Sequence, residues 1–291
     1  MTAASPQTSP NVTDISNATN DICRREILLG VAYCPVFLFG LLVNAAALWA
    51  SIAKRASWTD THIYILNLIA TDSALLVFLP FRIYDAFSPL TKSVLCTYLI
   101  NIHYSNMYAS IYTFTAISVH RYLAVRFPMR AKSWRRKKVA AFVVCLAIWV
   151  TVVSLCLIFQ ENSPDKLQCC FERCKDQRLT FKFAVMLVCG GFLAPLLIIV
   201  FCTSQIIFIL LKDTAKSEER KNTISIVTAN MVVFIICFTP IHTRFAFHLF
   251  SEKSGTWLSE ELYLSLSEWI ASTNCCFDSV SYYFLLKRFY T

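Results

Sequence analysis

Residues Phe183–Leu211 read FAVMLVCGGFLAPLLIIVFCTSQIIFILL, a run with no charged side chain from end to end. A bilayer's hydrocarbon core is about 30 Å thick and takes roughly 20 apolar helical residues to cross. The run therefore reads as a membrane helix, and six more windows of the same kind lie on either side: Ile27–Ala53, Ile63–Phe81, Val94–Val119, Val139–Phe159, Ile224–Ile241 and Trp269–Leu286. Their sum is an all-α membrane protein, a seven-transmembrane helix bundle over residues 27–286, with its two termini on opposite sides.

Charge sets the orientation, because cytoplasmic loops retain Lys and Arg. With the N-terminal tail counted as the first non-helical segment, the second, fourth and sixth segments and the C-terminus carry 15 Lys and Arg against 4 acids, whereas the tail and the other loops carry 11 against 12. The basic side is the cytosol, so the net charge of +9 is loop charge and no nucleic-acid surface. A composition that is 56% hydrophobic and 15% charged, with mean hydropathy +0.54, agrees. Residues 1–26 read as a disordered extracellular tail, in which Asn11 and Asn17 open glycosylation sequons that matter only on the lumenal side. The opening residues lack the apolar segment of a cleavable signal, so the first crossing directs insertion. The longest loops are 160–180 outside and 212–223 inside.

Of 13 cysteines, eight fall in apolar segments and read as packing residues. Cys23, Cys96, Cys169, Cys170 and Cys174 all fall outside, where disulfides persist. Cys96 opens the third crossing, and a bridge to the loop after the fourth would pin that loop over the bundle mouth. The residues alone leave Cys169, Cys170 and Cys174 open as its partner.

Ser118-Val-His-Arg-Tyr-Leu-Ala-Val-Arg-Phe-Pro128, at the cytosolic end of the third crossing, resembles the arginine motif of the rhodopsin-like (class A) G-protein-coupled receptors. Further marks of that family follow in order: Asn44, Asn67-Leu-Ile-Ala-Thr-Asp72, Cys96, Trp149, Pro195, Phe234-Ile-Ile-Cys-Phe-Thr-Pro240 and Asn274-Cys-Cys-Phe-Asp-Ser-Val-Ser-Tyr282. They cover the entire bundle. Leu79-Pro-Phe81 and Asp278 resemble the purinergic and lysophospholipid branch, and Ile63–Leu68 and Cys275–Tyr283 are similar to the receptors responding to lysophosphatidylinositol and to kynurenate-type acids. The resemblance implies a Cys96–Cys170 disulfide, a heterotrimeric G protein as partner, coupling through His120, Arg121, Tyr122 and Pro128, and a switch through Phe234, Pro240 and Tyr282.

Two carboxylates inside apolar helices need a reason, since an acid at mid-membrane costs about 2.5–3.5 kcal/mol on insertion scales. Asp72 and Asp278, with Asn44, Ser110 and Asn274, would make an oxygen-rich cage for a small hard cation or a shared proton. The resemblance implies a sodium pocket at Asp72, Ser110, Asn274 and Asp278, with Na+ as an allosteric ion and no other cofactor. Pro240 removes a backbone hydrogen bond and should bend the sixth helix; in the family that bend is the pivot of activation. His120 stands where the family has an acid beside the arginine, and Arg220 where some members have a second. With neither partner to hold Arg121, basal signalling should be raised.

Helix geometry puts Arg82, His103, Tyr104, Met107, Tyr108, Phe238, His242, Phe245, His248 and Glu268 around the outer half of the bundle, with Lys182 and Arg244 near the rim. His103 occupies the place of the amine receptors' Asp, and no Lys lies between Trp269 and Leu286 for a retinal Schiff base. An aromatic pocket with Arg82 and three histidines favours an acidic small molecule or anionic lysolipid. An Arg82–Glu268 bridge would instead favour a zwitterion or peptide. The basic cluster Arg130–Lys138 attracts anionic lipid headgroups, and Lys287–Thr291 reads as the start of a truncated amphipathic helix. No metal or nucleophile set of an enzyme and no inverted repeat of a transporter is visible. A receptor fold with weak or constitutive coupling is the remaining alternative.

Overall fold

The computed structural model describes residues 12–53, 60–88, 90, 93–128, 137–161, 170, 181–212, 218–250 and 257–280. Among them the chain forms α1 (Val12–Ala53), α2 (Asp60–Phe87), α3 (Val94–Arg126), α4 (Lys137–Glu161), α5 (Phe181–Lys212), α6 (Glu218–Phe250) and α7 (Trp257–Ser272). A turn at Thr273 separates α7 from helical residues 274–280. The remaining expected features fall outside the described residues: Asn11, Tyr282, Cys169, Cys174 and residues 287–291, together with the side chains of Asn17, Cys23 and His248.

Five helices (α1, α2, α4, α5 and α6) are long and apolar enough to cross a bilayer by length and composition alone. The other two are the polar-lined ones. α3 is the hub, touching α2, α4, α5, α6 and α7, and it turns Asn106, Ser110 and Thr113 inward. Polarity is inverted relative to a water-soluble core: Leu42 and Trp49 are 70% and 74% exposed while Asp72, Ser110, Asn274 and Asp278 are fully buried. Lipid demands this partition, since helices satisfy their own backbone and polar side chains must find partners inside. Small residues let backbones close up. A Cβ at Gly40 would stand 2.8 Å from Leu76 Cδ2 and 3.4 Å from the sulfurs of both Cys275 and Cys276, so α1 meets α2 and α7 there only through a hydrogen.

Two boundaries differ from the hydropathy reading. The expected disordered tail is helical from Val12, because hydropathy marks where lipid begins while helical hydrogen bonds propagate past it at one bond per residue. α7 begins at Trp257, well before Trp269, because its outer stretch carries Glu260, Glu261 and Glu268 and does not register as apolar. Of the eight cysteines in apolar segments, Cys189 is exposed and so is no packing residue of the interior. Within α5, Met186–Leu193 widen into a π-helix whose end is marked by Ala194 N–H donating to Cys189 O. Such a bulge precedes Pro195, which has no N–H to give.

Candidate functional site

The rim is built first. Ser93 caps α3, its side chain accepting from Cys96 N at 3.3 Å. Cys96 is disulfide-bonded to Cys170, as expected. Cys170 N–H donates to Leu90 O at 2.7 Å, Leu90 N–H donates to Asp85 Oδ1 at 2.8 Å, and Asp85 Oδ2 pairs with Arg82 Nη1 at 3.3 Å. One carboxylate thus ties the disulfide-held loop to the pocket's guanidinium. Asp85 was missed in the sequence although it had a signal, since i,i+3 partners share a helix face. Glu268 Oε1 accepts from the Tyr104 hydroxyl at 3.1 Å, and Glu26, Asp85 and Glu268 all lie within electrostatic reach of Arg82. The ion pair of Arg82 with Asp85 adds a partner that the expected Arg82–Glu268 bridge did not include.

One turn deeper the wall becomes aromatic. Tyr104, Met107 and Tyr108 from α3 and Phe238, His242 and Phe245 from α6 are all buried. His103 meets Tyr104 edge-on at 5.3 Å. His242 stacks on Phe192 at 4.6 Å and meets Tyr108 and Phe245 edge-on at 5.9 and 5.8 Å. Phe192 stacks in turn on Phe234 at 5.9 Å, and Phe234 meets Phe238 at 5.3 Å. An aromatic column therefore runs past Pro240, which lies inside α6. Phe192 is its splice, and nothing in the uniformly apolar α5 sequence singles that residue out. Of the residues expected around the ligand, Tyr104, Met107, Tyr108, Phe238 and Phe245 share one buried cluster that His242 stacks into, while Arg82, Glu268 and His103 group around Tyr104; the side chain of His248 is not described, Lys182 is exposed on the first turn of α5, and Arg244 is half-buried on α6.

Below the column lies the polar core. Asn106 Nδ2 donates to Asp72 Oδ1 at 2.8 Å and Asn274 Nδ2 to Asp278 Oδ2 at 2.9 Å. Asn44 Nδ2 bridges Gly40 O and Cys275 O at 2.9 and 3.0 Å, at the helix break after Thr273. Asn44 Oδ1, Asp72 Oδ2, Ser110 Oγ, Asn274 Oδ1 and Asp278 Oδ1 are buried with no hydrogen-bond partner among the described residues. Five unsatisfied oxygens, two of them from carboxylates, fit a hard cation. The donors are all oxygens, a set that suits a hard cation over zinc or copper. Asn106 was missed in the sequence, though it lies four residues before Ser110 on the same helix face.

At the end of α3 remote from Cys96, His120 lies 6.1 Å from the Tyr64 ring and Tyr122 meets Phe201 edge-on at 5.8 Å. Arg121 is half-buried. α3 stops at Phe127, whose N–H donates to Leu123 O, and Pro128 follows, exposed. Trp149 Nε1 donates to Asn67 Oδ1 at 2.8 Å and Asn67 Nδ2 to Thr113 Oγ1 at 3.0 Å, joining α4, α2 and α3.

Residues 43–282 match the family described as 7 transmembrane receptor (rhodopsin family). The chain is 33% identical to G-protein coupled receptor 35 of Mus musculus over 262 residues, covering 87% of this chain and 83% of the relative. It is 31% identical to G-protein coupled receptor 55 of Homo sapiens over 270 residues, covering 88% and 84%. Against lysophosphatidic acid receptor 6 of Gallus gallus the figures are 29% over 290 residues, covering 92% and 93%.

Proposed function

This chain belongs to the rhodopsin family of seven-transmembrane receptors, and from that premise we propose that its outer pocket takes an acidic small molecule or an anionic lysolipid. The protein is a multi-pass G-protein-coupled receptor and not an enzyme; its signalling partner is a heterotrimeric G protein. The observation that carries the ligand reading is Arg82, 14% exposed on α2 beside Asp85 and within reach of Glu268. Asp85 meets it with one oxygen because the other is held by the Leu90 amide. A guanidinium so placed suits a carboxylate or phosphate. The likeness to a lysophosphatidic acid receptor supports the same ligand class.

A second reading has its own support: Glu26, Asp85 and Glu268 surround that one guanidinium, which would suit a zwitterion or a peptide amine. Guanine-nucleotide exchange in membranes, run across acidic metabolites and lysophospholipids, separates the two. Hydrogen bonds to charged groups contribute about 1.5–3 kcal/mol, so Arg82→Ala lowers the potency of an anionic agonist roughly 10- to 150-fold. Glu268→Ala leaves that potency unchanged. The opposite ranking moves the assignment to the zwitterion.

The amino end lies outside, with Asn11 and Asn17 glycosylated, on the strength of the charge asymmetry between loops. A mobility shift on deglycosylation of whole-cell receptor, lost in Asn11→Gln/Asn17→Gln, tests this. Sodium binds at Asp72, Ser110, Asn274 and Asp278, where unpartnered oxygens support it, and holds the resting bundle together.

A further inference from the structure

His242 is placed oddly for a packing residue. Its Nδ1 lies 2.7 Å from Phe238 O, and a carbonyl can only accept, so Nδ1 carries the proton. A second proton would bury a positive charge among Phe192, Phe238 and Phe245, which is costly in an apolar setting. Nε2 is therefore a bare acceptor. It is buried and has no hydrogen-bond partner among the described residues, and the same holds for the hydroxyl of Tyr108, whose ring meets that of His242 at 5.9 Å. The side chains are 1% and 3% exposed. Buried polar atoms are nearly always satisfied, and two exceptions on rings in contact between α3 and α6 call for an occupant.

We propose that His242 Nε2 and the Tyr108 hydroxyl form a deep recognition subsite for an uncharged donor–acceptor group of the ligand, a hydroxyl or an amide, lying below an acidic head held at Arg82. The chemistry is set by the pair: Nε2 needs a donor, and the tyrosine offers one or accepts one. A hydroxyl or amide supplies both roles at once, and a carboxylate supplies no donor for Nε2. The spacing follows from α3. Tyr104, which bonds Glu268 beside Arg82, precedes Tyr108 by one helical turn, so the two ligand groups are separated by roughly 6 Å along the helix axis. A donor at Nε2 also polarises the imidazole and strengthens its bond to Phe238 O. That carbonyl lies two residues before Pro240, so occupancy is felt at the hinge.

The ligand chemistry rests on the acidic-ligand reading, but the subsite has a test of its own. In purified, ligand-free receptor, Tyr108→Phe removes a hydroxyl without a partner and leaves the melting temperature unchanged or raised. A lowered melting temperature means that water or another protein group already satisfies the hydroxyl, and overturns the proposal. With oleoyl lysophosphatidate and its analogue lacking the free glycerol hydroxyl as probes, wild-type exchange responds to the analogue about tenfold more weakly. In Tyr108→Phe the gap closes to about threefold or less. An equal gap in both proteins overturns the subsite. If neither probe drives exchange in wild type, the lysolipid reading fails, and the melting comparison alone decides the subsite.

Discussion

Gly191 tests whether the π-helical segment of α5 exists to seat Tyr108. A methyl group at Gly191 would stand 2.7 Å from Tyr108 Cε1 and 3.5 Å from Cδ1 and Cζ. Carbon atoms prefer about 3.5–4.0 Å, so the ring must retreat by nearly an ångström. It has little room to do so, since His242 and Tyr112 flank it with ring centroids 5.9 and 6.5 Å away. Overpacking of this kind costs about 1–3 kcal/mol. Gly191→Ala should therefore lower the melting temperature of purified receptor, and Tyr108→Phe, which keeps the ring, should not relieve the loss. Tyr108→Ala should relieve it, so that adding Gly191→Ala to that background costs less than about 0.5 kcal/mol, the usual bound for independent sites. Equal losses in the wild-type and Tyr108→Ala backgrounds would show that the cost is helix geometry around the bulge and has nothing to do with the ring. Gly190, where a methyl meets nothing within 4 Å, is the internal control. Gly190→Ala removes a residue that costs a helix up to about 1 kcal/mol, and it should be neutral or stabilising.

Sodium should raise the melting temperature of purified wild-type receptor relative to a bulky organic cation at equal ionic strength, and Asp72→Asn should abolish the difference. A sodium increment that survives in Asp72→Asn removes the cation from that site. Replacing His120 by the acid that the family carries, His120→Asp, should lower ligand-free exchange severalfold at matched surface expression. Equal basal exchange would show that Arg121 is held by other means. Interhelical hydrogen bonds in membranes average about 0.6 kcal/mol, so Asn67→Ala, which loses bonds to both Trp149 and Thr113, should cost about 1 kcal/mol. Trp149→Phe should cost about half as much, and identical losses would mean that indole packing dominates over the hydrogen bond.

What could be read from the chain was set by the solvent, and what could not was set by contacts between helices. Lipid imposes its demand locally and residue by residue, so the long apolar runs marked the helices. The same logic explains the largest boundary miss. The first turns of α7 carry Glu260 and Glu261, with Glu268 further along, and a hydropathy window cannot tell such a helix from a loop. Asp85 and Asn106 escaped for a related reason. Each was visible as a polar residue in a helix, but its role depends on which atom of another segment it faces: the Leu90 amide for Asp85, the Asp72 carboxylate for Asn106. Helical spacing narrowed the choice, since Asp85 follows Arg82 by three and Asn106 precedes Ser110 by four. Phe192 had no such handle. One phenylalanine in an unbroken apolar helix is indistinguishable from its lipid-facing neighbours until a bulge rotates it inward onto His242. The Gly190–Gly191 pair lies inside the bulge and Pro195 just past its end, so the signal lay in the breakers around the residue and not in the residue. In this bundle the positions that interrupt regular helix (Pro240, Pro195, Thr273) lie beside the residues proposed to sense the ligand and the ion, because an interruption aims a side chain away from the direction that periodicity dictates.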